Sequence, residues 1–217
     1  MPATMTLAQL APTSLAFDAK VLTRPSNGGK YVETTLHAKR FPLVQLSTSS
    51  APLRAPFGLS TKFGGGEADG GRLTLDLDAP PELVAWATAL DEHLIANAIA
   101  HSQAWFGKEL TEATVRAMHA PLIRQANDKY APVIRVKVHP ETVKLWRQPD
   151  RTEMKAEALV RGASVVPVVS VGNVWFMAKS QFGISLGLTL GLVTPGSTLG
   201  LDAFILDEPE EAVMIED

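Results

Sequence analysis

Residues 121–138 read PLIRQANDKYAPVIRVKV, and the second half of that stretch decides what kind of fold this chain can have. Val133 to Val138 alternates strictly, which is the pattern of a strand with one buried and one wet face. Ile134, Val136 and Val138 are expected to face a core, with Arg135 and Lys137 side by side on the opposite face. Two cations at neighbouring same-face positions repel each other, so they make sense where something negative lies across that face. Basic strand faces are also common on ordinary surfaces.

Working outward, the flanking segments are mostly short and extended. Val21 to Thr23 runs into Pro25-Ser26-Asn27-Gly28-Gly29 and then Tyr31 to Leu36, which predicts a hairpin. Phe41 to Gly66 carries three prolines and a triglycine, which predicts a strand at Leu43 to Leu46 followed by a long irregular loop. Arg54, Phe57, Lys62 and Phe63 in that loop mix cations with aromatics, as single-strand binding requires, or they cover the core with the Phe rings turned in. Arg72 to Asp78 alternates, with Leu73, Leu75 and Leu77 inward and Thr74, Asp76 and Asp78 outward. Pro80-Pro81-Glu82 opens a helix expected to reach about Phe106, with Leu83, Trp86, Leu90, Leu94 and Ala98 on one stripe and Gly107 as its stop. A second helix is expected from Thr111, ending before Pro121.

Beyond the basic strand, Thr142 to Trp146 is expected to be a short strand and Arg147 to Glu157 an exposed connection. Ser164 to Val171 and Val174 to Lys179 read as two strands turning at Gly172-Asn173. Ile184 to Val193 reads as a further strand. Gly183, Gly187 and Gly191 recur there every fourth residue, which permits close approach of a backbone or a flat ring, or sharp curvature. Strands on both sides of one helical segment imply an α+β fold, with helices inserted over 80–119.

The chain has 217 residues, is 46% hydrophobic and 20% charged, and contains no cysteine, so a disulfide scaffold and thiolate metal sites are excluded. Residues 1–14 look loosely held and lack the basic start and apolar core of a secretion signal. The longest apolar run, near Ala163 to Val193, is interrupted by Pro167, Gly172, Asn173, Lys179 and Gln181, and reads as strands and not as a membrane span. The last eleven residues hold six acids (Asp207, Glu208, Glu210, Glu211, Glu216, Asp217), and without them the net charge moves from −3 to +3. Such a block reads as a disordered interaction tail, a solubilising end or an internal mimic of a polyanion.

No catalytic constellation survives inspection. Gly183-Ile184-Ser185-Leu186-Gly187 matches a nucleophile elbow, but the last histidine, His139, precedes Ser185 and the surroundings are strand-like. Gly64-Gly65-Gly66 lacks the Lys and Ser or Thr of a phosphate loop. The five histidines (His37, His93, His101, His119, His139) form no close metal-ligand pair, and Asp91-Glu92 reads as a solvated helix face. What remains is aromatics among cations. Trp175, Met177 and Lys179 share one strand face, and Lys144 and Trp146 share another. Stacking on an aromatic contributes ~1–3 kcal/mol per base and adjacent cations track phosphates. Tryptophan on a sheet is otherwise a core residue.

Several segments in order (Phe41-Pro-Leu-Val-Gln-Leu46, Ala55-Pro-Phe-Gly-Leu-Ser60, Gln103-Ala-Trp-Phe-Gly-Lys108, Pro121-Leu-Ile-Arg124, Tyr130 to Lys137, Val174-Trp-Phe176 and Gln181-Phe-Gly183) resemble the single-stranded DNA-binding proteins of nucleocytoplasmic large DNA viruses. The resemblance spans residues 20–193. It implies an OB-fold-like β-barrel, or a strongly curved antiparallel sheet, with a helical insertion. It also implies a protein without chemistry or cofactor that coats replication intermediates in the host cytoplasm or nucleus, with an acidic tail that recruits replication proteins. On this reading residues 15–206 form one nucleic-acid-binding domain. Arg135 and Lys137 take phosphates, Trp146 and Trp175 stack, and Arg124, Lys144 and Lys179 support them. The partner is single-stranded DNA, or RNA if a 2′-hydroxyl is preferred, and a homo-oligomer is compatible. The rival is a scaffold protein that self-associates through its glycine-spaced strand and binds no nucleic acid.

Overall fold

The structure, a computed structural model, describes residues 4–61, 73–177 and 181–196. Its centre is a pair of 14-residue antiparallel strands, Ser164–Met177 (β13) and Gln181–Thr194 (β14). Every other strand is arranged around this pair. In chain order these are β1 (Met5–Thr6), β2 (Ala16–Thr23), β3 (Lys30–Leu36), β4 (Lys39–Arg40), β5 (Leu43–Gln45), β6 (Leu53–Arg54) and β7 (Leu59–Thr61). After them come β8 (Leu73–Asp78), β9 (Ile123–Arg124), β10 (Val133–Val138), β11 (Lys144–Arg147) and β12 (Glu153–Met154). The free edge of β13 is lined by β3, β5 and β6, and that of β14 by β10 and β11. Among the described residues the strand order runs β1-β5-β13-β14-β10-β8-β7 without returning to its start, so the pairing is an open, curved sheet.

The sheet is mixed where antiparallel pairing was expected. β10 and β11 both run parallel to β14, and β1 runs parallel to β5. Parallel neighbours need crossover connections, and here β12 and β13 lie in the chain between β11 and β14, while the helical segment joins β8 to β9 and β10, which pairs antiparallel with β8. That segment breaks in two at His101, giving α1 (Pro81–Ala100) and α2 (Ser102–Phe106), the latter closed by Gly107 in the left-handed conformation. A third helix, α3 (Glu112–Met118), starts where Thr111 accepts a hydrogen bond from the Thr114 N–H.

The core lies between the helices and one face of the sheet. Leu83, Trp86, Leu90, Leu94 and Ala98 are buried along α1, against Ile134, Val136 and Val138 from β10 and Ile184, Leu186 and Leu188 from β14. Fully burying each large aliphatic side chain stabilises by about 1.5–3 kcal/mol. Where α2 meets the central pair, Trp105, Phe106, Phe176 and Phe182 pack edge to face.

Four sequence expectations are corrected here. Gly172-Asn173 is not a turn: β13 passes straight through it with a shift of register, and the chain reverses only between Met177 and Gln181. The extra residue lets Asn173 Oδ1 accept the Thr34 N–H from β3 at 3.3 Å. The segment around Leu10 is held, not loose. Leu10 is buried, the Trp86 indole N–H donates to its carbonyl at 2.9 Å, and His93 Nε2 lies 2.8 Å from the Leu15 carbonyl. Asp91 is not solvated: it is buried, its Oδ2 accepts the Leu122 N–H at 3.0 Å, and its Oδ1 lies 3.3 Å from His119 Nε2 without good hydrogen-bond geometry. Finally, β8 is buried on both faces, Thr74 and Asp76 included, because neighbouring side chains close over its outward positions.

Candidate nucleic-acid interface

Residues directly opposite on paired strands project to one face, and along a regular strand every second residue does so. That rule can be followed across this sheet. Trp175 lies opposite Gly183 on β14. Two pleats on, Gly187 lies opposite Ser170 on one side and Lys137 on the other. Arg135 is one pleat from Lys137, and Val133, one pleat further, lies opposite Arg124. Along β13, Ser170 leads to Val168, which faces Leu190, and Leu190 faces Lys144. Leu192, beside Leu190, faces Trp146.

Six of the seven residues named from the sequence (Arg124, Arg135, Lys137, Lys144, Trp146, Trp175) therefore stand on the sheet face turned away from the helices. Lys179 lies outside the described residues, as do Lys62, Phe63, Arg72 and the acids from Asp207 to Asp217.

Trp175 is half-buried and lies over a glycine. A Cβ on Gly183 would sit 2.9 Å from the indole Cζ2 and 3.0 Å from the Ala120 carbonyl, so only glycine lets the ring settle this close to the strand. Its neighbour across β3 is Tyr31, over whose ring the Arg24 guanidinium sits at 5.4 Å. At the other end Trp146 forms one wall of a shallow apolar recess of about 150 Å³ floored by Val166, Val168, Leu190 and Leu192. From Trp175 to Val166, beside Trp146, β13 covers roughly 25–30 Å at about 3.3 Å per residue. A strand of several nucleotides spans such a distance.

The electrostatics are uneven. The negative group sought across from Arg135 is in the protein itself: Asp76 on β8 receives two hydrogen bonds from Arg135, each of 2.6 Å. That pair holds the Arg135 guanidinium above its ordinary value. Arg124 is pushed the other way, first by burial and then by repulsion from Arg135, against a weaker pull from Asp76. Burial raises the Asp78 carboxyl, with Arg54 opposing. Lys137 and Lys144 are exposed. Glu153 lies opposite Trp146, an acid at that end of the face. Among the described residues no group of three or more His, Cys, Asp or Glu could hold a metal ion.

The chain is similar in structure to the single-stranded DNA-binding protein from bacteriophage Enc34. Against that protein in complex with ssDNA the TM-score is 0.44 at 14% identity, covering 83% of this chain and 98% of the other. Against a second structure of that protein, the TM-score is 0.42 at 15% identity, covering 73% and 93%. A C-terminal truncation gives 0.43 at 14% identity, covering 72% and 96%. No protein-family model and no curated protein matches the chain. These three structures are from a bacteriophage, and they do not support the family of nucleocytoplasmic large DNA viruses expected from the sequence.

Sequence reasoning missed Tyr31, Arg24, Gln45 and the apolar floor. Tyr31 carried a signal, since it alternates with buried Val32, but its place beside Trp175 depends on a pairing about 140 residues apart in sequence. Phe57, for which the sequence allowed either a single-strand-binding loop or a ring turned in over the core, is 64% exposed, against the inward reading. Ser185, at the centre of the elbow-like pattern, sits mid-strand in β14.

Proposed function

We propose that this protein binds single-stranded DNA without sequence preference on the helix-free face of its sheet, performs no chemistry there, and protects replication or recombination intermediates. The observation that carries this reading is the shared face of Trp175 on β13, Lys137 on β10, and Lys144 and Trp146 on β11, which sets stacking surfaces and cations on either side of β14. Bases stack on the indoles and phosphates lie against the lysines and Arg124. Arg135 contributes less than an unpaired arginine, because Asp76 already compensates its charge. The mild basicity of residues 1–206 suits a single-strand binder better than a duplex binder, since stacking supplies affinity that charge does not. The acids from Asp207 onward would compete for the same cations and recruit replication proteins.

The test is tryptophan fluorescence during titration with an oligothymidine at low and moderate salt, with duplex DNA as control. Trp86 and Trp105 are buried with their N–H groups bonded to Leu10 and Asp18, so they report little. Quenching that weakens with salt, is absent with duplex and is lost in Trp146→Phe/Trp175→Phe is expected. A full-length protein that gives no response and no change in oligonucleotide anisotropy would return Trp146 and Trp175 to a structural role and leave self-association through strand edges as the better reading.

A further inference from the structure

The geometry points to a socket for one nucleobase in the recess beside Trp146, with Gln45 as the group that reads the base edge; this rests on the single-strand reading above. The recess has the dimensions of one base, about 150 Å³, and its walls are the Trp146 indole and the side chains of Val166, Val168, Leu190 and Leu192. Gln45 supplies a polar side chain in this lining. Its amide is oriented: Nε2 donates one hydrogen to the Ser47 carbonyl at 2.6 Å, a bond only the nitrogen can make, so Oε1 is left as an acceptor and the second N–H as a donor for a guest. A π-face beside an amide acceptor and donor suits a flat ring that carries an N–H and a carbonyl side by side on its edge, as a nucleobase does. An aliphatic side chain of a protein partner would leave that acceptor unpaired.

The position also fits a strand and not an isolated ligand. Val168 lies on the same face as Ser170 and Lys137, so the recess continues the path from Trp175. Lys144, opposite Leu190, stands at its edge where the phosphate of a seated nucleotide would lie, while Glu153 stands beyond Trp146. The neutral base goes between the two charges and the phosphate goes to the lysine.

The experiment compares oligothymidine with its N3-methylthymidine counterpart, which keeps the ring and loses the imino donor, by fluorescence anisotropy on the full chain and on Gln45→Leu. The unmodified strand should bind the full chain roughly three- to tenfold tighter than the methylated one, the worth of a single hydrogen bond. In Gln45→Leu that ratio should fall to about one. Val168→Phe, which fills the recess from β13, should weaken the unmodified strand more than the methylated one, bringing their ratio to about one without depending on the Gln45–Ser47 contact. Equal binding of both strands by the full chain, or the same ratio in all three proteins, would overturn the socket while leaving single-strand binding intact. Failure of the full chain to bind either strand would overturn the single-strand reading, and the socket with it.

Discussion

Arg135 and Asp76 show how a single residue can serve the sheet and the ligand in opposition. The two hydrogen bonds between them join β10 to β8 and place a negative charge on the face proposed to meet phosphates. Asp76→Asn should cost about 1–3 kcal/mol of stability, read from urea unfolding, because a charge-assisted pair becomes a neutral one. It should also tighten binding of an oligothymidine and steepen its salt dependence by about 0.7 in slope, the contribution of one further phosphate contact. Asp78 gives a separate handle. Burial raises its carboxyl above the ordinary value of 3.8, so the folded protein holds that proton more tightly than the unfolded chain does. Its contribution to stability is complete below that ordinary value and is lost as pH rises through the raised one. Asp78→Asn should remove that component, and unfolding midpoints measured between pH 3 and 7 would show it as a flatter profile.

At the scale of elements, legibility followed the range of the interactions. The hairpin of β2 and β3, the strand Val133–Val138, the stripe on α1 and the Thr111 cap were all readable, because each rests on residues within a few positions of one another. Gly172-Asn173 was misread because a Gly-Asn pair suits a two-residue turn and a strand bulge equally, and the deciding contact comes from Thr34. Asp91 was misread for a similar reason: its partners, Leu122 and His119, come from beyond α1. The candidate face was legible residue by residue, through Trp and Lys at alternate positions, but not as a surface. Its assembly depends on parallel pairing of β10 and β11 with β14, which no local pattern encodes. Gly172 offers a test of the bulge. A Cβ there would sit 2.7 Å from the Ser185 carbonyl, so Gly172→Val should separate β13 from β14 locally and cost about 1–3 kcal/mol. Thermal unfolding would check it; a neutral result would mean the strands pass at a greater distance than described here.

For the whole molecule, charge distribution is the property that sequence conveys best and that pairing then localises. Removing Asp207 to Asp217 takes six acids from a chain of net charge −3. The shortened protein should bind an oligothymidine more tightly, by roughly three- to tenfold at low salt, and the gain should shrink above 0.3 M as screening sets in. Anisotropy titrations at three salt concentrations would decide it, and equal affinities at every salt would show that the tail does not compete for the face.

The two central strands come last among the described elements, and this orders the birth of the protein as well as its shape. A ribosome synthesises β1 to β12 before either member of the central pair exists. For most of translation the edges of β3, β5, β6, β10 and β11 that will bind β13 or β14 have nothing to pair with. The nascent chain is therefore an open set of sticky segments until its final quarter emerges, and a premature stop inside β14 would release a polypeptide whose β13 lacks its main partner. Stalled ribosomes carrying the chain to Gly162 should display it protease-sensitive and chaperone-bound, whereas those carrying it through Gly196 and clear of the exit tunnel should display a resistant domain.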